Sequence, residues 1–594
     1  METVGWIFGR LFYWINRKIY WYQLPSPLAF LNLIALRTNL RAKNLFDTTT
    51  VPPHAPPADS FGFDVRCFRT PDGSYNDLSC PAMGMKGTRF GRNVGIEHTW
   101  PNREQLMDPS PRVVSRRLLR RESFQPATSL NILAAAWIQF QVHDWFTHGK
   151  DSQRAPICIP LDPAGDDWPL ATLQTPATTA DSTAGPADQD RPPTFLCDDT
   201  HWWDASSLYG GPERQKERRT AGGKFKLTAD GLLPLDENGL DLTGVNNNWW
   251  IGLAVMHTIF TREHNAVCDM LAVAHPDWSD DRLFHTARLI ITALIAKIHT
   301  IEWTPTLLDT PILRIGMRGN WWGLLGEWVR KRIGRLTPGD ILSGIMGSKT
   351  NHHGTPYSMT EEFVAVYRMH PLIPDDFVFR DAHTGAILKT YTLTQLCSSH
   401  CRPAIEEVGF DNVVYHMATE HPGALRLHNY PRCLQDLVRQ DGEGRTDLAS
   451  VEILRDRERG IPRYNDFREL LDMPRIKRFA DLSDDPVLAK EIETVYDGDL
   501  DKVDTLVGLL AETPPPGFAF SDTAFRIFIL MASRRLKSDR FFTTDFTPEI
   551  YSKEGMKWVM ETTFADVLRR HFPDFASALP PTKSPFTPWG KLAQ

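Results

Sequence analysis

Along most of the chain, apolar side chains recur at intervals of three and four rather than two. That spacing predicts helices over 129–147, 248–272, 281–303, 359–370, 402–418, 430–439 and 523–537. Strict alternation is nearly absent, so the fold class is mainly α with few or no strands. The helix at 523–537 is apolar nearly all round but ends in Arg534 and Arg535. An arginine facing inward there needs an anion, because an unpaired buried charge is costly. Residues 161–194, "LDPAGDDWPLATLQTPATTADSTAGPADQDRPPT", are poor in apolar side chains and read as a long surface loop. Residues 46–100, rich in Pro, Gly, Asp and Asn, read as irregular wrapping. There is no internal repeat, and both sides of the loop supply parts of what reads as one site. Residues 46–594 are therefore taken as a single domain.

The first 45 residues form a different kind of segment. "WIFGRLFYWINRKIYWYQLPSPLAFLNLIALRTNLRAK" is aromatic and apolar, but Arg10, Arg17, Lys18 and two prolines interrupt it. No run reaches the roughly 20 apolar residues needed to span a bilayer. No small-residue cleavage site follows a clean apolar core, which argues against a signal peptide and for an intracellular protein. Two readings stand for this arm. Trp, Tyr, Leu and six Lys/Arg against one Glu suit peripheral contact with a membrane interface. The other reading is an arm packed onto the main domain.

Composition narrows the picture only a little. With 594 residues, 42% hydrophobic and 23% charged, the chain has enough apolar material for a large core. A net charge of −7 excludes a general nucleic-acid footprint. The eight cysteines show no CxxC pair, which excludes a disulfide-stapled secreted framework. Cys397 and Cys401 read as packed, reduced thiols in preference to a metal pair or a disulfide. No obligate protein partner is evident.

Three stretches carry candidate chemistry. In "NILAAAWIQFQVHDWFTHGKD", Ala136, Gln139 and His143 fall on one helical stripe. A Gln and a His set into an apolar helix should meet a polar or metallic group, unless the His is merely satisfied by a core hydrogen bond. Asp144, the next residue, points about 100° away. In "THWWDASSLYG", Thr200, Trp202, Asp204 and Ser206 alternate, so an extended loop places them on one side. Hydroxyl, carboxylate and main-chain oxygens are the hard ligands calcium prefers, and Asp144 would complete the set. The plainer alternative is a polar turn. In "VYRMHPLIPD", Tyr367 and His370 stand about one helical turn apart. A neutral imidazole is a good axial ligand for haem iron. A haem oxidised by peroxide can draw an electron from a nearby tyrosine, giving a phenoxyl radical able to take hydrogen from carbon. The cofactor then supplies the oxidation and the protein the placement. A boundary tyrosine and a histidine ending a helix before Pro371 are the alternative.

"WIQFQVHDW", "THWWDASSLYG", "MHTIFTREHN", "VYRMHPLIPD" and "LASVEILRDRERGIPRYNDFR" occur in the order found in the animal-type haem peroxidase and cyclooxygenase superfamily, over about residues 90–545. Within it, "AAAWIQFQVHDWFTHGKD" and "ASRRLKSDRFFTTDF" resemble the fatty-acid α-dioxygenases. The resemblance implies a distal pair, His143 and Gln139, a proximal iron ligand, His370, and a radical tyrosine, Tyr367. It implies calcium on Asp144, Thr200, the Trp202 carbonyl, Asp204 and Ser206. A substrate carboxylate would lie on Arg535, with Arg534 as the alternative, together with His299 and Thr304. His299 also has a purely structural reading. Because Thr304 precedes Pro305, it is expected to leave helical geometry. Asn429 in "LHNYPRC" is expected to accept the other N–H of His370.

The departures refine this. Where the secreted peroxidases carry an arginine and haem-linking acids, this chain has "NNNWW", with Asn246, Trp249 and Trp250. The resemblance therefore implies non-covalent haem b and weak peroxidase activity. Nothing resembles the cysteine-rich module of cyclooxygenases. The implied activity uses a long-chain fatty acid, O2 and a peroxide activator to make 2-hydroperoxy acids, which can lose CO2 to give aldehydes one carbon shorter. A cyclooxygenase- or diol-synthase-like oxygenase acting within the acyl chain is the first alternative. A non-catalytic haem- and calcium-binding peripheral membrane protein is the second.

Overall fold

The computed structural model describes residue 12, residue 15 and residues 18–143, 145–151, 153–438, 444–581 and 584–592. Helices dominate it, and its strands form only two-stranded pairs. The elements that frame the site are α1 (Ser26–Lys43), α2 (Ile132–Val142), α3 (Ile251–Ala274), α4 (Asp280–Ile298), α5 (Pro311–Trp322), α6 (Glu361–Val366), α7 (Leu448–Glu458) and α8 (Asp522–Ser538). Helix α3 packs against both α2 and α4, and nearly every side chain of α2 is buried. Helix α8 packs against α6 on one side and α1 on the other. Burying such all-round apolar helices is the main driving force for this arrangement.

Several predicted elements differ from those observed. The 359–370 helix stops at Val366, and His370 opens a short 3-10 turn at His370–Leu372. Pro371 explains the stop, since its ring would clash with the Tyr367 carbonyl of a continuing helix. The 402–418 helix is two, Cys401–Val408 and Phe410–Thr419, divided at Gly409 (φ 88°). No helix forms over 430–439: a 3-10 turn at Arg432–Leu434 is followed by a strand at Leu437–Val438. The 161–194 segment is not a bare surface loop. Leu173–Thr175 pairs with Ile157–Ile159, and Trp168 is buried under the guanidinium of Arg112.

The described part of the N-terminal arm packs onto the main domain. Trp21 is 1% exposed and its indole donates to Asp522 at 2.8 Å, while Leu33, Leu36 and Leu40 of α1 are buried. Residues 1–11 lie outside the described residues. All eight cysteines are free, Cys397 and Cys401 included.

Candidate active site

Helix α6 is held at its start by charge. Thr360 caps it, accepting from the Phe363 N–H at 3.3 Å, and two glutamates in its first turn reach a buried imidazole and a buried guanidinium. Glu361 lies 3.0 Å from His148, and Glu362 lies 2.7 Å from Arg92. This fixes the far end of the helix, where Tyr367 is buried among Phe363 (4.4 Å between rings), Trp145 (5.8 Å) and Phe528 (5.9 Å). Burial pushes the Tyr367 phenol above its ordinary range, with Arg535 opposing, so the side chain stays a neutral hydrogen donor.

His370 is turned the other way. Its Nδ1 lies 2.8 Å from Oε1 of Glu452, which α7 brings up from below. The second oxygen of Glu452 accepts from the Tyr430 hydroxyl at 3.0 Å. Burial raises the Glu452 carboxyl, but His370, Arg368 and Tyr430 outweigh it and hold it below the usual range. The partner expected for this imidazole, Asn429, is not there. Its Oδ1 accepts from Nε of Arg121, and Arg121 in turn holds the carbonyls of Pro371 and Ile373. Asn429 thus steadies the chain after His370, not the ring. Glu452 lies inside the quoted motif "LASVEILRDRERG", yet a glutamate on a helix gives no sign in sequence of where it points.

The candidate carboxylate site converges on Trp145. The Arg535 guanidinium stacks 3.7 Å from that ring and 5.1 Å from Trp203. It is 1% exposed, and Nε, Nη1 and Nη2 have no hydrogen-bond partner among the described residues. Arg534 differs: its Nη2 bonds the carbonyls of Thr355 (2.8 Å) and Pro356 (2.9 Å) and only its Nε lacks a partner among the described residues, whereas all three nitrogens of Arg535 lack one. His299 lies 5.1 Å from Trp203, ring to ring, and its Nδ1 faces the Trp137 indole N–H at 3.2 Å. An indole only donates, so Nδ1 accepts and Nε2 bears the proton. Burial, then Arg535, lowers the His299 pKa to about 3, so the ring is a neutral donor.

Thr304 does not leave helical geometry (φ −57°, ψ −48°). A π-helical turn over His299–Trp303 precedes it, and this wider turn accommodates Pro305. The Thr304 N–H bonds the His299 carbonyl, and its buried Oγ1 lacks a partner among the described residues.

His143 caps the C-terminus of α2. Its Nε2 donates to the Asn247 carbonyl at 2.5 Å, and its Nδ1 is unpartnered among the described residues. Burial lowers its pKa to about 4, so the ring is neutral near pH 7. Gln139, one turn back, has an unpartnered Oε1. His257 was not anticipated; its ring lies 6.0 Å from that of His143. In the "NNNWW" stretch, Asn246 bonds Asp236 (2.9 Å) and Trp249 bonds Asp241 (3.1 Å).

These residues fit a flat macrocycle. The His370 side chain is 32% exposed while Pro371 and Leu372 beside it are buried, so its ring keeps an open face. Nδ1 is engaged by a carboxylate and Nε2 is left for a metal, the usual arrangement for a ligating histidine.

The expected calcium set is only partly assembled. Thr200 Oγ1 lies 3.0 Å from Asp204 Oδ2, and Asp204 Oδ1 accepts from the Ser206 N–H at 3.2 Å. Ala205 between them is left-handed (φ 54°), a conformation that surrounding structure must hold in an alanine. Arg288 also approaches Asp204, at 3.5 Å. The Trp202 ring stacks on Tyr357. Asp144 lies outside the described residues. Among the described residues, no cluster of three or more His, Cys, Asp or Glu is placed to hold a metal.

A helical frame and an imidazole backed by a carboxylate are in keeping with a haem-binding class of protein. The animal haem peroxidase family matches residues 68–582, and the chain belongs to that family. It is 39% identical to the alpha-dioxygenase PIOX of Oryza sativa subsp. japonica, over 99% of this chain and 96% of that protein. It is 40% identical to alpha-dioxygenase 2 of Arabidopsis thaliana, over 96% and 91%. Among solved structures, a tyrosine-to-phenylalanine variant of the Oryza sativa fatty acid alpha-dioxygenase with palmitic acid superposes with a TM-score of 0.91. Its identity is 39%, covering 99% of this chain and 97% of that one. Peroxidase A of Dictyostelium discoideum shares the fold at 22% identity and a TM-score of 0.66.

Proposed function

We propose that the protein is a haem-dependent fatty-acid α-dioxygenase, inserting O2 at carbon 2 of a long-chain fatty acid. One observation carries the reading: a fully buried guanidinium with three unbonded nitrogens packs on the same Trp145 as a buried tyrosine. A cation so placed calls for an anion, and a carboxylate matches its planar fork. The rice relative's complex with palmitic acid supports the same ligand.

Haem, which His370 would hold, would supply a one-electron oxidant when activated by peroxide. Tyr367 would then give up an electron and its phenolic proton and become a phenoxyl radical. His143, a neutral imidazole with Gln139 one turn back, would take a proton from peroxide. The substrate carboxylate lies on Arg535 and receives hydrogen bonds from His299 Nε2 and Thr304 Oγ1. Anchored there, the acid presents carbon 2 to the phenoxyl oxygen, which takes one hydrogen atom from it. O2 adds to the carbon radical, and the peroxyl product recovers hydrogen from the Tyr367 hydroxyl. The result is a 2-hydroperoxy acid with Tyr367 returned to its radical form. Mass spectrometry of palmitate incubated with the holoenzyme under O2 tests this. The expected products are the 2-hydroperoxide and the aldehyde one carbon shorter; oxygen placed within the chain overturns the reading.

Two accessory features belong to the same proposal. Calcium on Thr200, Asp204, Ser206, the Trp202 carbonyl and Asp144 would brace the segment that carries His143. A bilayer is the second partner. No helix among the described residues is long and apolar enough to cross a membrane. Ile19, Leu28 and Leu31 of the arm are exposed, as are Ile315, Leu324, Trp328 and Ile333 around the adjoining α5. Lys331 and Arg332 supply positive charge beside them, which suits an anionic lipid surface. Loss of liposome binding in Trp328→Ser is the expected outcome, and undiminished binding contradicts it.

A further inference from the structure

A second cationic site lies between α1, α5 and α8. Arg37 and Arg41 sit one turn apart on α1 and line a cleft whose remaining wall is largely apolar, with Leu313, Met317, Phe525 and Phe528 among its side chains. Arg37 donates to Asn320 at 2.8 Å and Arg41 to Ser533 at 2.7 Å. The Nε of each is enclosed and unpartnered among the described residues. Like charges four residues apart on a helix repel. The acid that also lines the cleft, Asp340, is drawn off by Lys537 at 2.9 Å and Arg335 at 3.4 Å. Burial lowers the pKa of both arginines, and on Arg41 the neighbouring Arg37 lowers it further, while Asp340 opposes the shift on each.

The shape of the cleft names its ligand. A paired guanidinium end and a long apolar wall suit an amphiphile with an anionic head. Leu324 and Ile341, which line the cleft, are 42% and 46% exposed, so it opens to the surface. At its inner side stands Phe528, which also stacks on Tyr367. A fatty acid whose carboxylate must end at Arg535 has to carry that charge through apolar surroundings. A cation pair at the mouth would lower the cost of its first desolvation.

We propose that Arg37 and Arg41 form a second carboxylate site, which receives a long-chain fatty acid at the mouth of the cleft before its head passes to Arg535. This rests on the fatty-acid reading above. The test is calorimetric titration of palmitate into the Tyr367→Phe holoenzyme, which binds without turning over. Two carboxylate sites are expected. Adding Arg37→Gln/Arg41→Gln should abolish one, and adding Arg535→Met the other. Hexadecanol, the same chain without charge, should leave the Arg37/Arg41 site empty. Arg37→Lys/Arg41→Lys should retain both sites, separating charge from the seating of α1. In the otherwise native enzyme, Arg37→Gln/Arg41→Gln should lower kcat/KM for palmitate about tenfold with kcat within twofold. A single site, lost with Arg535 and untouched by the glutamine pair, overturns the second site alone. No palmitate binding in any variant overturns both readings.

Discussion

Replacing Arg535 by methionine should move activity and stability in opposite directions. In the wild type the guanidinium is 1% exposed, lacks a hydrogen-bond partner and packs 3.7 Å from the Trp145 ring. With substrate bound, two charge-assisted hydrogen bonds are at stake, each contributing about 1.5–3 kcal/mol. Their loss of about 3–6 kcal/mol corresponds to about two to four decades in kcat/KM. Without substrate the same group is an uncompensated buried charge. Removing it should gain about 1–4 kcal/mol, less about 1–2 kcal/mol for the lost stacking on Trp145. The mid-range values leave a net gain of about 1 kcal/mol, which across a chain of this length is a rise in Tm of about 1 °C. Palmitate should raise the Tm of the wild type but not of Arg535→Met, since a ligand stabilises only what it binds. Oxygen uptake and differential scanning calorimetry read the two quantities. An unchanged kcat/KM, or a variant still stabilised by palmitate, would refute the assignment of Arg535 as the carboxylate anchor.

Other outcomes follow from the neighbouring groups. Glu452→Gln removes the carboxylate facing His370 Nδ1, so haem affinity or activity should fall about 10- to 100-fold; an unaltered Soret titration and turnover would contradict this. The buried imidazoles of His143 and His299 have folded pKa values of about 4 and about 3, both below the unfolded value of about 6.5. The unfolded chain therefore binds more protons, and stability should fall as pH drops from about 6.5 toward 3. Each histidine adds at most about 1.4 kcal/mol per pH unit. Urea unfolding at pH 7 and pH 5 checks it, and equal midpoints would speak against it. Chelation with EGTA should lower the wild-type Tm and leave Asp204→Asn unaffected; equal shifts in both would remove calcium from the account.

The mainly helical class was legible in the sequence because long apolar helices such as α3 and α8 carry strong periodicity. Tyr367, His370, His143 and Arg535 could be singled out as candidates because they sit in recognisable motifs. What the sequence withheld depends on contacts between distant segments. Glu452 is 82 residues from His370 along the chain, and only the packing of α7 sets its carboxylate against the imidazole. The choice between Arg534 and Arg535 turned on which side of α8 meets carbonyls, and adjacent arginines give no periodic signal for that. Thr304 was misread because the rule for residues before proline assumes an ordinary helix, and a π turn relaxes it. Trp145 was quoted within a motif but not singled out, although it joins Tyr367, Arg535 and His299 in space.

The central claim is that the Tyr367 phenoxyl oxygen takes hydrogen from the carbon beside an anchored carboxylate. Oxygen uptake with palmitate deuterated at carbon 2, measured in the holoenzyme and in Tyr367→Phe, tests it most directly. The account expects a pronounced primary isotope effect in the native enzyme and no uptake in the variant. Equal rates for both isotopologues together with full activity in Tyr367→Phe would contradict it.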